Sequence, residues 1–403
     1  MARGMNISLQ LIFSLKQQIL LELLHEEVMQ VFKKTVLLFF ITSLLVWHMP
    51  ASHYFALVPA SEPTIELRLL ETSDLHADLI NYDYYLSKVN NKVGLVKTAT
   101  LIRQARKEVQ NSLLFDGGDH LKGNPLGEYL ARIRGIHKGK VHPVYRAFNH
   151  LNYDAIAIGN HEFNYGLKFL NAALKGAKMP AINANVISLK TNTPYFKPYV
   201  ILKRKFTDVN GEGHDLKIGV IALMPPQIMK WDKSNLEGRV FPKPIVDAAK
   251  EYVPIMKGEG ADIIVALAHT GISAESYSPD TENAVYYLTK IPDIDAILSG
   301  HSHSVFPGPA YQKLPKTNLE TGEINGKPVV MPGAFGSHLG IIDLKLKQKN
   351  GKWRVIKGKS FVRPIADDDG NPLVETDKAL FQLLKPEHKE TVNTIRKLGS
   401  SFF

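Results

Sequence analysis

The stretch Asp295–His303, DAILSGHSH, decides how this chain is read. A short apolar run ends at a serine and a glycine, and two histidines one residue apart follow directly. Such a run, bounded by turn residues, reads as a buried strand. Imidazoles at its carboxyl end stand where open α/β sheets collect their ligands. Taken alone, the two histidines suit a solvated turn as well as a ligand pair. The choice depends on whether other strand ends repeat the arrangement.

Four others do. LRLLETSDLH (67–76) ends in Asp74 and His76, and SLLFDGGDHLKGN (112–124) supplies Asp116, Asp119 and Asn124. AIAIGNHEFNYG (155–166) supplies Asn160, His161 and Glu162, and DIIVALAHTG (262–271) supplies His269. Glycines in GGDH let a loop turn sharply and carry a carboxylate inward. Asn-His-Glu behind an apolar strand is poor turn chemistry without a purpose. His269 by itself fits a satisfied core histidine equally well. Five strand ends carrying Asp, Asn and His toward one edge bring about seven metal-type donors together. Oxygen and imidazole donors suit Mn, Fe, Zn, Co or Ni better than calcium. Asp is the natural bridge between two ions, because its carboxylate offers two donor oxygens.

Composition is that of a folded globular protein. The 403 residues are 44% hydrophobic and 22% charged, enough for a substantial core. No cysteine is present, which excludes disulfides and thiolate metal sites. The formal charge of +10 suits anionic substrates. Long basic tracts for a nucleic-acid backbone are not visible, so a specific duplex partner is not expected. Alternating strand-like and helix-like segments from Glu66 onward predict an α/β layered fold. KPVVMPG, HLGIIDLKLKQ and WRVIKGKSFV are expected to form strands of a second sheet.

The ends of the chain read differently. Lys33 and Lys34 precede TVLLFFITSLLVW and then a small-residue stretch, the pattern of a secretory leader. Cleavage after Ala51 or Ala60 is expected, and an uncleaved anchor is the alternative. Residues 1–28 are unusual ahead of a leader, and Met29 would be a more natural start. The expected division is 1–60 as extension plus leader, 61–365 as the catalytic domain, and 366–403 as a linker. That last segment reads as a polar helix interrupted by Pro386, with little to pack on.

These motifs, DLH, GGDH, GNHE, AHTG and GHSH, resemble the binuclear metallophosphoesterases. Within that superfamily the chain resembles the periplasmic 5′-nucleotidase group. It is most like the bifunctional 2′,3′-cyclic-nucleotide 2′-phosphodiesterase/3′-nucleotidase branch, through NYDYYLSK, HPVYRAFNHLNYD, EFNYGLKFL, MPPQIMKWDKSNL and ENAVYYL. The resemblance covers about Glu66 to Pro364. It implies a layered sandwich of two mixed β-sheets flanked by helices, and two divalent ions (Mn, Co, Zn, Fe or Mg). It places Asp74, His76 and His303 on one ion, Asn160, His269 and His301 on the other, and Asp119 between them. It implies that His161 is not a ligand but faces the phosphate and the leaving oxygen. Position 164 is Asn where the 5′-nucleotidases carry an Asp paired with that histidine. Family members also carry a C-terminal nucleobase-binding domain, which this chain is expected to lack.

The implied activity is hydrolysis of 2′,3′-cyclic nucleotides to 3′-nucleotides, and of these to nucleoside and phosphate, by a hydroxide bridging the metals. Further substrate contacts are expected at Asn124, Asn164 and His338. Lys122 and Arg146 are weaker candidates for phosphate, and Trp231 reads as a packed surface aromatic, with a substrate contact as the alternative. The expected setting is the periplasm, as a monomer acting on small nucleotides, without stable membrane association once the leader is removed. Two alternatives stay open: a metal-binding remnant with little turnover, and a 5′-nucleotidase-like phosphatase.

Overall fold

The computed structural model describes residues 5–47, 62–136 and 139–400. The chain divides into two units, Met1–Ser61 and Glu62–Phe403. In the first, helix α1 spans Met5–Trp47. No described helix is long and apolar enough to cross a membrane. The expected leader-cleavage region lies outside the described residues.

The second unit is built on eleven principal strands. In chain order they are β1 (Thr64–Thr72), β2 (Ser112–Asp116), β3 (Ala155–Ala157), β4 (Ala181–Ile182), β5 (Tyr199–Thr207) and β6 (Gly213–Leu223). Then come β7 (Ile263–Ala268), β8 (Ala296–Ser299), β9 (Lys327–Pro332), β10 (His338–Lys349) and β11 (Lys352–Pro364). One six-stranded sheet runs β11–β10–β1–β2–β3–β4. Within it β1 to β4 are parallel and β10 and β11 antiparallel. The other sheet has the spine β9–β8–β7–β6–β5, parallel from β9 to β6 and antiparallel at β5.

The two sheets lie face to face. Ile65, Leu67, Leu69, Leu113 and Phe115 from one meet Ile218, Val220, Ile263, Val265 and Leu267 from the other. The opposite faces are also covered. Leu70, Leu114, Ile156 and Ile158 pack under α2 (Leu95–Lys107), α3 (Pro143–Leu151) and α4 (Gly166–Leu174). Ile264, Ala266 and Ala268 pack under α6 (Ile245–Gly258), which follows the single turn α5 (Ile228–Trp231). Burial on both faces explains why the parallel strands read as unbroken apolar runs.

The structure corrects the sequence reading in four places. The ligand-bearing strands do not share one sheet: β1, β2 and β3 belong to the first, and β7 and β8 to the second. HLGIIDLKLKQ and WRVIKGKSFV extend the first sheet rather than build a separate one, because β10 pairs with β1 over eight residues. Strand β5 went unread because Lys203, Arg204 and Lys205 stand in a row and break its apolar pattern at a sheet edge. The tail forms one helix, α7 (Lys378–Ser400), that runs through Pro386. It packs on the domain, burying Leu380 and Leu384, while buried Glu387 pairs with Arg134 and Arg146.

Candidate metal centre

Both sheets end at one edge, and the loops beyond it are tied together by their backbones. The Asp74 N–H donates to Gly118 O at 2.9 Å, and the His76 N–H to Asp119 O at 2.9 Å. Two glycines permit this approach. A Cβ on Gly159 would lie 2.4 Å from Asp119 Oδ1, and one on Gly300 would lie 2.5 Å from Asp74 Oδ2. Five of the expected ligands occupy the left-handed region: Asp74, His76, Asp119, His301 and His303, with φ between 47° and 71°. Non-glycine residues hold such angles at a cost, and a cluster of them marks a site where side-chain aim outweighs backbone comfort.

The edge brings the expected donors into two groups. Asp74, His76 and His303 form one, and Asp119, His269 and His301 the other, with the ligand atoms of each group within 4.8 Å of one another. Asn160 joins the second group, its Oδ1 lying 3.2 Å from His269 Nε2 and 3.0 Å from His301 Nδ1. His76 Nε2 and His303 Nε2 face each other at 2.9 Å, and His269 Nε2 is 3.0 Å from Asp119 Oδ2. Donors bonded to one ion at about 2.1 Å stand roughly 3.0–3.4 Å apart, so these separations suit ligand pairs around a cation.

The imidazoles are oriented from behind. His76 Nδ1 donates to Lys122 O (2.8 Å), and His269 Nδ1 to Gly117 O (2.9 Å). His301 is turned the other way. Its Nε2 bonds Glu282 Oε1 at 2.7 Å, which frees Nδ1 for the centre, and Trp231 stacks on its ring at 5.6 Å. Fixing the far nitrogen this way sets the tautomer of a ligating histidine. Burial opposes a charge on Asp119, but His269, His161 and His76 around it hold its carboxyl well below the usual range. Burial likewise opposes a His269 cation, yet Asp119 and Asp74 hold that imidazole up at about 10. Buried carboxylates faced by imidazoles make a pocket of negative potential that favours a cation, so the residues fit divalent metals.

Beneath the centre lies a residue whose role the sequence concealed. Glu162 is fully buried and accepts four backbone N–H groups. They come from Asp119 (2.8 Å), His120 (2.7 Å), Leu121 (3.0 Å) and Gly159 (2.8 Å). It binds the GGDH loop to the GNHE turn, and the His161 N–H donates to Asp119 Oδ1 at 2.7 Å.

The remaining expected residues divide. His161 stands beside the centre, its ring 5.0 Å from that of His76, and its Nδ1 is 2.6 Å from Asn164 Oδ1. Asn124 caps a one-turn helix through Leu126 N and Gly127 N. It also lines a neighbouring cavity of about 370 Å³ with Tyr82, Tyr84, Tyr85 and Phe335. His338 opens β10 and bonds Ser337 Oγ (2.9 Å). From its glycine-rich loop it is Phe335 that reaches the centre, with its ring 5.6 Å from His76 and 5.4 Å from His303. Arg146 is engaged with Glu387 in the helical layer, and Lys122 meets the centre through its carbonyl.

A helix–sheet–sheet–helix sandwich with an Asp/Asn/His cluster at its joint carboxyl edge defines a metallophosphoesterase. The chain belongs to the calcineurin-like phosphoesterase family, which it matches over residues 67–305. The Salmonella typhimurium 2′,3′-cyclic-nucleotide 2′-phosphodiesterase/3′-nucleotidase is 47% identical over 340 residues, 84% of this chain and 52% of that protein. The Haemophilus influenzae protein of the same name is 45% identical over 328 residues, 81% of this chain and 50% of that protein. The crystal structure of calcineurin-like phosphoesterase YfkN from Bacillus subtilis is 44% identical with a TM-score of 0.79, covering 83% of this chain and all of that one. The chain thus spans about half the length of these two curated relatives.

Proposed function

We propose that this chain is an exported, metal-dependent phosphoesterase that hydrolyses 2′,3′-cyclic nucleotides to 3′-nucleotides, and these to nucleoside and phosphate. The observation that carries it is the pair of donor groups, Asp74, His76 and His303 in one and Asp119, His269 and His301 in the other, with His161 beside them. Asp74, His76 and His303 would hold one divalent ion, Asn160, His269 and His301 a second, and Asp119 both. Such ions polarise phosphoryl oxygens and supply a nucleophile from water near neutral pH. The protein's own residues do the rest. Second-layer bonds from Lys122, Gly117 and Glu282 hold the imidazoles in aim. His161 keeps its Nδ1 proton on Asn164, so Nε2 is the nitrogen that delivers a proton to the departing ribose oxygen. Opening the cyclic ester at the 2′ oxygen leaves a 3′-monoester for the same residues to cleave. The names of the two long curated relatives support this substrate class. Export to the periplasm is supported by the basic pair Lys33–Lys34 ahead of an apolar run.

The test is hydrolysis of 2′,3′-cyclic AMP and of bis-p-nitrophenyl phosphate by the full chain, stripped of metal and then given Mn or Co. Metal-dependent turnover of both is expected. Turnover of the aryl diester alone would leave the centre active and remove nucleotides as its substrates. Metal binding with neither activity would overturn the proposal.

A further inference from the structure

Behind His161 the hydrogen-bond chain continues past Asn164. The Asn164 Nδ2 amide donates to Asp232 Oδ2 at 2.6 Å, and the Asn235 amide donates to Asp232 Oδ1 at 3.3 Å. Asn235 also bonds the carbonyls of Phe163 (3.3 Å) and Asn164 (3.1 Å), which ties this segment to the turn carrying His161. Asp232 is only 6% exposed.

This arrangement settles which way the Asn164 amide points. A carboxylate only accepts, so the atom 2.6 Å from Asp232 must be the amide nitrogen, and the amide oxygen faces His161. An oxygen there accepts only from a protonated Nδ1. A flipped amide would set N–H against N–H and push the imidazole out of line. Among the described residues Asp232 is the only hydrogen-bond partner of the Asn164 amide nitrogen, so its removal frees the amide to flip. Trp231, the preceding residue, lies on the ring of His301, so one short segment braces both the proton donor and a proposed ligand.

We infer that Asp232 is a positioning residue for proton delivery: it locks Asn164 so that His161 presents Nε2 to the leaving oxygen. The inference rests on the hydrolytic reading above. In the step concerned, a hydroxide oxygen bonds phosphorus and the bond from phosphorus to the ribose oxygen breaks. The ribose oxygen keeps the electron pair and takes the proton from Nε2, and solvent later restores that proton.

Leaving-group dependence tests it. Release of a ribose alkoxide from 3′-AMP needs the proton, whereas p-nitrophenolate leaves readily without it. General-acid help is worth about 10²–10⁴-fold, and a misaimed donor forfeits part of that. D232A is therefore expected to lower the kcat ratio of 3′-AMP to p-nitrophenyl phosphate at least tenfold. Adding N164D to D232A returns a carboxylate to Nδ1 and is expected to restore the ratio to within about threefold of wild type. If D232A does not fold, D232N keeps the side chain's shape and one acceptor oxygen, and a drop of about threefold is expected. An unchanged ratio in the folded variant, equal losses on both esters, or no rescue by N164D would overturn the inference. A wild-type chain inactive on both esters would instead sink the hydrolytic reading, and this inference with it.

Discussion

Replacing Glu162 by Gln changes one atom and should disrupt the whole centre. The two carboxylate oxygens of Glu162 each accept two backbone N–H groups, Oε1 from His120 and Leu121, Oε2 from Asp119 and Gly159. In Gln one of those oxygens becomes an NH₂, which turns a donor toward two buried donors. Each buried donor left without a partner costs about 1–3 kcal/mol, so the expected loss is about 2–6 kcal/mol. That is a large share of a typical domain stability of about 5–15 kcal/mol. The damage falls on the loop that aims Asp119, so metal affinity should fall with stability. Urea unfolding with and without Mn separates the two effects, since bound metal adds stability only to the folded state. A metal-stripped E162Q within 1 kcal/mol of wild type, binding Mn equally well, would refute the claim that this carboxylate holds the centre together.

Three further outcomes are expected. H161A should keep its metal by elemental analysis yet lose about 10²–10⁴-fold in turnover of 3′-AMP, whereas D119A should lose metal as well; equal metal content in both would break the assignment of Asp119 as the bridge. E282A removes the oxygen that turns His301, and metal affinity at the His269–His301 pocket should fall about 10–100-fold, measured by competition with a fluorescent chelator. His142 caps α3 from a fully buried position, and burial foremost, with His120, Arg134 and Arg146 adding, lowers its pKa from 6.5 to about 3. Between those values the unfolded chain binds a proton that the folded one refuses, so this stability is complete above pH 6.5 and drains away as pH falls toward 3. Asn also caps well and does not titrate, so H142N should gain about 3 kcal/mol relative to wild type between pH 7 and pH 4.5, read by paired urea titrations.

The residues proposed to hold metal were legible because metal chemistry restricts residue type. Few side chains other than Asp, Asn and His suit such ions, and their position directly after apolar runs exposes them. The residues that support them have no such signature. Glu282 is one carboxylate in a polar loop, Asp232 one in KWDKSNL, and each acquires its role from a partner 19 or 68 residues away. Trp231 read as a packed surface aromatic because nothing local distinguishes stacking on His301 from lying on any surface. Strand order was equally hidden: whether an apolar run joins one sheet or the other depends on pairing across most of the chain, as with Thr64 and Lys347 in β1 and β10.

The least legible feature is the backbone at the centre. Local propensity assigns positive φ to glycine and allows it in asparagine, aspartate and histidine only as occasional single residues. Yet Asp74, His76, Asp119, His301 and His303 all adopt it, while glycines such as Gly159 and Gly300 stand beside them for the room they leave. The pattern has a physical reason. A strand end must reverse within one or two residues for its side chain to face a donor from the other sheet, and the left-handed turn does this in the least length. The cost is carried by the surrounding bonds, with Glu162 holding four amides and Asp74 accepting the His301 N–H through both oxygens. Local rules fail at these positions because the side chains there are placed by the site and not by the strand.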